Sequence, residues 1–164
     1  MEKKTLILGV GNLLLKDEGV GIHVIQALEK EKLPAHVTLM DGGTGGLHLI
    51  SRLTGYDHII MVDATLDSNP PGTVRLIRPQ YASDYPPLMS AHEIGLRDMI
   101  ETMILTDDLP EVHLIVVSAA NLNEVNMELT PEVEASISEV IRIIKKLICL
   151  LYTSPSPRDP KTSR

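Results

Sequence analysis

The sequence predicts an α/β three-layer sandwich, a mostly parallel five-stranded sheet with helices on both faces. Three observations predict it. Apolar runs of strand length alternate with segments of helical period along the 164 residues. The stretch His58 to Ala64 is nearly continuous apolar, the pattern of a central parallel strand buried on both faces. A Gly-rich turn, GVGNLLLKDEGVG over 9–21, joins the first apolar run to an amphipathic segment, as a strand-to-helix connection does.

Taken in order, strands are expected at 5–10, 36–41, 58–64, 73–78 and 112–118, and helices at 19–31, 44–54, 91–105 and 131–148. The fourth strand alternates, with Thr73 and Arg75 expected outward and Val74 and Leu76 inward, which marks a sheet edge. Ser90 and Glu93 form a capping box that opens the third helix. Thr130 and Pro131 supply an N-cap and a first-turn proline for the last helix. Its apolar residues Val133, Ile137, Val140 and Ile144 then recur along one face. The loop between 79 and 90 is long for a compact domain and is a candidate substrate-contact segment.

Composition narrows the function. The formal charge of −7 argues against a nucleic-acid partner, and with Phe and Trp absent the core must be aliphatic and base stacking has few platforms. No apolar run approaches the roughly 20 residues of a membrane span. The chain runs from Met-Glu-Lys-Lys straight into a strand without a signal-peptide pattern, and a single cysteine rules out an internal disulfide framework, so a cytoplasmic location is expected. The domain is expected to span 1–148. Residues 149–164 (CLLYTSPSPRDPKTSR) are Pro- and Ser-rich, have no periodicity, and read as a disordered tail foreign to the domain.

The turn at 9–21 fits neither common phosphate template. Leu14 stands where a dinucleotide fingerprint needs glycine, and Lys16 is flanked by Leu15 and Asp17 where a P-loop needs Gly-Lys-Ser/Thr. Instead it carries two adjacent acids, Asp17 and Glu18, which repel anions and attract cations. In parallel sheets ligands bind beyond the carboxyl ends of the strands. Four connections bring ligand-type residues to that edge: Glu18 after the first strand, Asp41 after the second, Asp63 at the end of the third, and His92 before the third helix. Ser118 and Asn121 follow the fifth strand.

Two carboxylates and one imidazole suit nickel or zinc better than calcium, and Glu18, Asp63 and His92 are the best three. Asp41 has three readings: a fourth ligand, a group orienting a ligand, or a general base. Plainer roles exist beside these. Glu18 at a helix start can serve the helix dipole, and Asp41 before two glycines can make an Asx-turn. His36, His58 and His113 begin strands at the opposite edge and read as structural or surface residues, as do the helical His23 and His48. No metallopeptidase HExxH or hydrolase GxSxG motif is present, because Leu96 occupies the second histidine position of HEIGL.

Together LGVGNLLLKDEGVG (8–21), DGGT (41–44), VDA (62–64), SAHEIGL (90–96) and LTPEVEA (129–135) resemble the nickel–iron hydrogenase maturation endopeptidases, over about residues 5–148. The resemblance implies a twisted five-stranded sheet and an enzyme that trims the C-terminus of the hydrogenase large-subunit precursor. It implies that Glu18, Asp63 and His92 contact nickel already inserted in that precursor, and that Asp41 matters for cleavage. No Ser or Cys nucleophile fits, and a monomer is expected. The alternative is a non-catalytic chaperone that senses nickel through the same residues. One segment departs from the family pattern: Ser118-Ala119-Ala120-Asn121 stands where relatives often carry Gly-hydrophobic-Gln/Glu-Pro.

Overall fold

A computed structural model of the chain describes residues 3–43, 50–78 and 110–153. Among the described residues the sheet has five strands: β1 (Thr5–Val10), β2 (Val37–Gly43), β3 (His58–Thr65), β4 (Val74–Ile77) and β5 (Glu111–Ser118). Their order is β2-β1-β3-β5-β4. The first four in that order run parallel, and β4 pairs antiparallel with β5 at the edge. Chain order reverses on either side of β1, so a crevice opens between the carboxyl ends of β1 and β3.

Helix α1 (Val20–Leu28) follows a 3-10 turn at Lys16–Gly19, α2 (Ile50–Leu53) precedes β3, and α3 (Pro131–Thr153) closes the fold. The strand interiors are aliphatic, as a chain without Phe or Trp requires. On one face Ile7, Ile60, Val62 and Ile115 pack with Val24 and Leu28 of α1 and Val140 and Ile144 of α3. On the other, Leu6, Leu8, Met61 and Leu114 pack with Leu53 of α2. These are the two helical layers of the expected sandwich.

Differences from the sequence reading have physical causes. The first helix starts with a tighter 3-10 turn and ends at Leu28, before the polar run Glu29 to Lys32. The edge strand lacks the clean alternation expected of it. Leu76 is exposed and Arg75 half-buried, because Arg75 turns to Asp67 and bonds its carboxylate at 3.0 Å. Helix α3 continues to Thr153, beyond the expected end at 148. Leu151 adds to the core there, and the Tyr152 ring stacks on His36 with centroids 4.7 Å apart. The loop at 79–90, the third helix with its Ser90–Glu93 box, and residues 154–164 lie outside the described residues, as do Thr44 and His48.

Close approach of α1 to the sheet depends on Gly21. A Cβ there would stand 2.4 Å from the Val62 carbonyl oxygen and 2.8 Å from Val10 backbone atoms. Gly21→Ala therefore has to push the helix off β1 and β3. We expect it to lower the unfolding free energy by about 1–3 kcal/mol, the usual cost of overpacking, read as a lower urea midpoint at unchanged m-value.

Candidate metal-engaging site

The crevice is built on Gly11. Its φ of +134° is a conformation few residues besides glycine adopt, and its N–H donates to the Gly43 carbonyl at 2.9 Å, which ties the end of β1 to the end of β2. A Cβ on Gly11 would lie 1.9 Å from the Glu18 carbonyl oxygen and 3.7 Å from Asp63 Oδ1. The glycine thus lets the Glu18 turn settle against β1 within reach of the Asp63 carboxylate. Glu18 and Asp63 are both fully buried, at 0% exposure. Asp63 stands two residues before the end of β3, and its Oδ1 accepts the N–H of Ala64 at 2.8 Å, which turns the carboxylate back over its own strand.

Asp41 reaches the same crevice by a bulge. Gly9 pairs with Asp41 and Val10 with Gly43, leaving Gly42 as the extra residue. Bulges of this kind re-aim the side chain beside them. Asp41 Oδ1 accepts the Gly43 N–H at 2.9 Å, so the Asx-turn exists and holds the carboxylate. Unlike Glu18 and Asp63, Asp41 is exposed. It lines a hollow of about 210 Å³ with Gly11, Asn12, Leu13, Ile22 and Gly43. His92, the fourth candidate, lies outside the described residues.

Asp17 has a different task from the one its neighbour suggests. Its buried carboxylate accepts the N–H groups of Ala120 (2.9 Å) and Asn121 (3.0 Å) through Oδ2, and that of Thr130 (2.8 Å) through Oδ1. The Thr130 hydroxyl donates between both oxygens at 3.0 and 2.9 Å. One carboxylate therefore joins the 3-10 turn to the segment after β5 and to the start of α3, where the helix dipole favours a negative charge. Of the two acids in the turn, Asp17 is therefore committed to holding the fold together. Sequence reasoning missed this role because the partners lie more than 100 residues away and three of the donors are backbone N–H groups, which nearly any residue supplies.

The Ser118-Ala119-Ala120-Asn121 segment has a structural reason in the same contacts. Asn121 Oδ1 also accepts the N–H groups of Asn123 and Glu124, each at 2.9 Å, and rigidifies the following turn. Asn126 then bridges to the first loop: its N–H donates to Leu14 at 2.9 Å, and its carbonyl accepts from Lys16 at 2.7 Å. Nearby Leu14, Val125 and Met127 are exposed, giving the rim an apolar edge.

The family model for hydrogenase maturation proteases matches residues 22–147. The hydrogenase 2 maturation protease of Escherichia coli K12 is 35% identical over 144 residues, covering 84% of this chain and 86% of that protein. Among solved structures, the hydrogenase-maturating endopeptidase HybD of E. coli superposes with a TM-score of 0.81 at 35% identity, over 90% of this chain and 92% of that one. The [NiFe] hydrogenase maturation protease HybD of Thermococcus kodakarensis gives a TM-score of 0.74 at 29% identity, over 88% and 98% of the two chains.

Two substitutions separate the structural acid from the exposed one. Asp17→Ala leaves three N–H groups and a hydroxyl without their acceptor. It should cost about 3 kcal/mol or more, since hydrogen bonds to a charged group contribute about 1.5–3 kcal/mol each and are not additive. Asp41→Asn keeps an acceptor for Gly43 and should stay within about 0.5 kcal/mol of the parent chain. Chemical denaturation of both variants measures the contrast; equal losses would contradict it.

Proposed function

The chain belongs to the hydrogenase maturation protease family, and from that premise we propose how this peptidase works. It removes a C-terminal peptide from the nickel-loaded large-subunit precursor of a nickel–iron hydrogenase. The nickel belongs to the precursor. Glu18, Asp63 and His92 engage it, so that a precursor without metal is not held for cutting. The observation that supports this reading is the burial of Glu18 and Asp63 at the topological switch point, where the Glu18 backbone and the Asp63 carboxylate both lie against Gly11 and Asp41 lines the adjoining hollow.

The division between buried and exposed acids supports a division of labour. Glu18 and Asp63, held out of solvent by the turn and by β3, present oxygen donors of fixed geometry. With the imidazole of His92 they make a mixed oxygen–nitrogen set suited to nickel. Asp41 is reached by water and is oriented by Gly43, as a carboxylate that takes a proton from an attacking water must be. This is chemistry of an aspartic type, without a Ser or Cys nucleophile. The apolar rim of Leu14, Val125 and Met127 offers an extended peptide a surface beside the hollow.

The protein acts as a monomer in the cytoplasm, without nucleic-acid or membrane partners. The charge of −7 supports the absence of a nucleic-acid partner, and the lone cysteine supports the cytoplasm. Among the described residues no helix is long and apolar enough to cross a membrane.

Intact mass of a cognate precursor, nickel-loaded and nickel-free, tests the reading. We expect one C-terminal truncation, in the loaded sample only. Glu18→Gln, Asp63→Asn and His92→Ala should each lower the cleavage rate at least 100-fold in folded protein. Asp41→Asn should lose turnover while retaining precursor binding. Normal cleavage by Glu18→Gln or His92→Ala would overturn the nickel-docking role. Stable binding of the loaded precursor without any cleavage would favour a nickel-sensing chaperone.

A further inference from the structure

A second cluster of ligand-type groups sits at the opposite, amino-terminal edge of the sheet. His58, Glu111 and His113 each offer one donor atom, and these atoms all lie within 4.8 Å of one another. The register produces the cluster. His58 pairs with Glu111 and Ile60 with His113, and alternate residues of a strand share a face, so the three side chains stand on the same side of β3 and β5. Both imidazoles are buried and Glu111 is half-buried.

The contacts within it are incomplete. Glu111 Oε1 accepts from the Arg78 guanidinium at 2.6 Å and from His113 Nε2 at 3.1 Å. Glu111 Oε2 is buried and has no hydrogen-bond partner among the described residues. His58 Nδ1 lies 4.0 Å from it, too far for a hydrogen bond. A cation about 2.0–2.2 Å from each atom spans that gap, which is the bond length of zinc to imidazole nitrogen and carboxylate oxygen.

We propose that His58, Glu111 and His113 form a binding site for a divalent transition-metal ion of the zinc type, separate from the crevice at the other end of β3. Two imidazoles and one carboxylate are a donor set known for zinc, with a water as the fourth ligand. They exclude calcium and magnesium, which take oxygen donors. Burial, then the positive Arg78 nearby, hold the His113 imidazole below the ordinary histidine value against the opposing pull of Glu111. For Nε2 to bind metal, the proton it shares with Glu111 moves to Nδ1 of the same ring. That nitrogen has no hydrogen-bond partner among the described residues, so the tautomer change displaces none of those contacts and no proton is lost. Arg78 is the competitor: its exposed guanidinium occupies Oε1 and repels a cation.

Competition titration of zinc against a chromophoric chelator, on the full chain and four folded variants, tests the site. Zinc binding should survive Asp63→Asn, which alters only the crevice. It should weaken at least 10-fold in His113→Gln and in His58→Gln. Arg78→Ala, at an exposed position, should tighten it several-fold, a gain that no loss of folding can imitate. Absence of zinc uptake by the folded parent chain, loss of uptake in Asp63→Asn, or an Arg78→Ala affinity no better than the parent's would each overturn the proposal.

Discussion

The rim of the crevice depends on the buried carboxylate of Asp17. Three stretches far apart in the chain converge there: the 3-10 turn, the segment leaving β5, and the first residue before α3. None of them is regular enough to hold itself in place. Asp17 satisfies N–H groups that would otherwise be left part-buried, and the start of α3 in turn stabilises the charge on Asp17. The same turn receives the Asn121 carbonyl from the other side, at 3.1 Å from Asp17 N. Backbone and side chain of one residue thus bind the first loop to the last.

The aim of Glu18 follows from that anchorage. Successive residues of a 3-10 turn point about 120° apart, since the turn has three residues per revolution. With Asp17 locked toward β5 and α3, the Glu18 side chain is directed elsewhere from a backbone that has little freedom left. Gly11 supplies the remaining condition, because any side chain there would collide with the Glu18 carbonyl. The pair of adjacent acids is therefore one structural device. The first acid ties the turn to the segment after β5 and to the start of α3, and the turn so fixed carries the second.

The layers of this fold were legible because burial is periodic. The continuous apolar run of β3, the helical recurrence in α3 and the polar breaks between them follow from which faces must leave water. Asp63 was legible for a related reason: a carboxylate at the end of an otherwise apolar strand has no place in a core and so marks the strand's exit. What escaped the sequence depends on distance along the chain. The partners of Asp17 lie 103 to 113 residues away. The bulge at Gly42 is set by pairing with β1, which the glycines of DGG allow and do not specify. The proximity of His58 to His113 follows from strand register, invisible until β3 and β5 are known to be neighbours. Local chemistry announces itself in sequence; chemistry made by pairing does not.

That register also explains why polar chemistry collects at both ends of one strand. Between His58 and Asp63 the residues of β3 are Ile, Ile, Met and Val, all fully buried beneath helices on one face or the other. A charge in that interval would have neither water nor room for a partner. At either end the layers thin and loops arrive, so titratable groups can be buried with other groups around them. The two ends are about 17 Å apart at the rise of an extended strand, with a rigid parallel pair between. A cation at the amino end would bind β3 to β5 by ligand bonds at the edge where they begin. At the other end β3 carries Asp63, and the segment leaving β5 is held by Asp17. Stiffening the pair at its base steadies the positions from which the crevice is built, without placing any foreign group within reach of it.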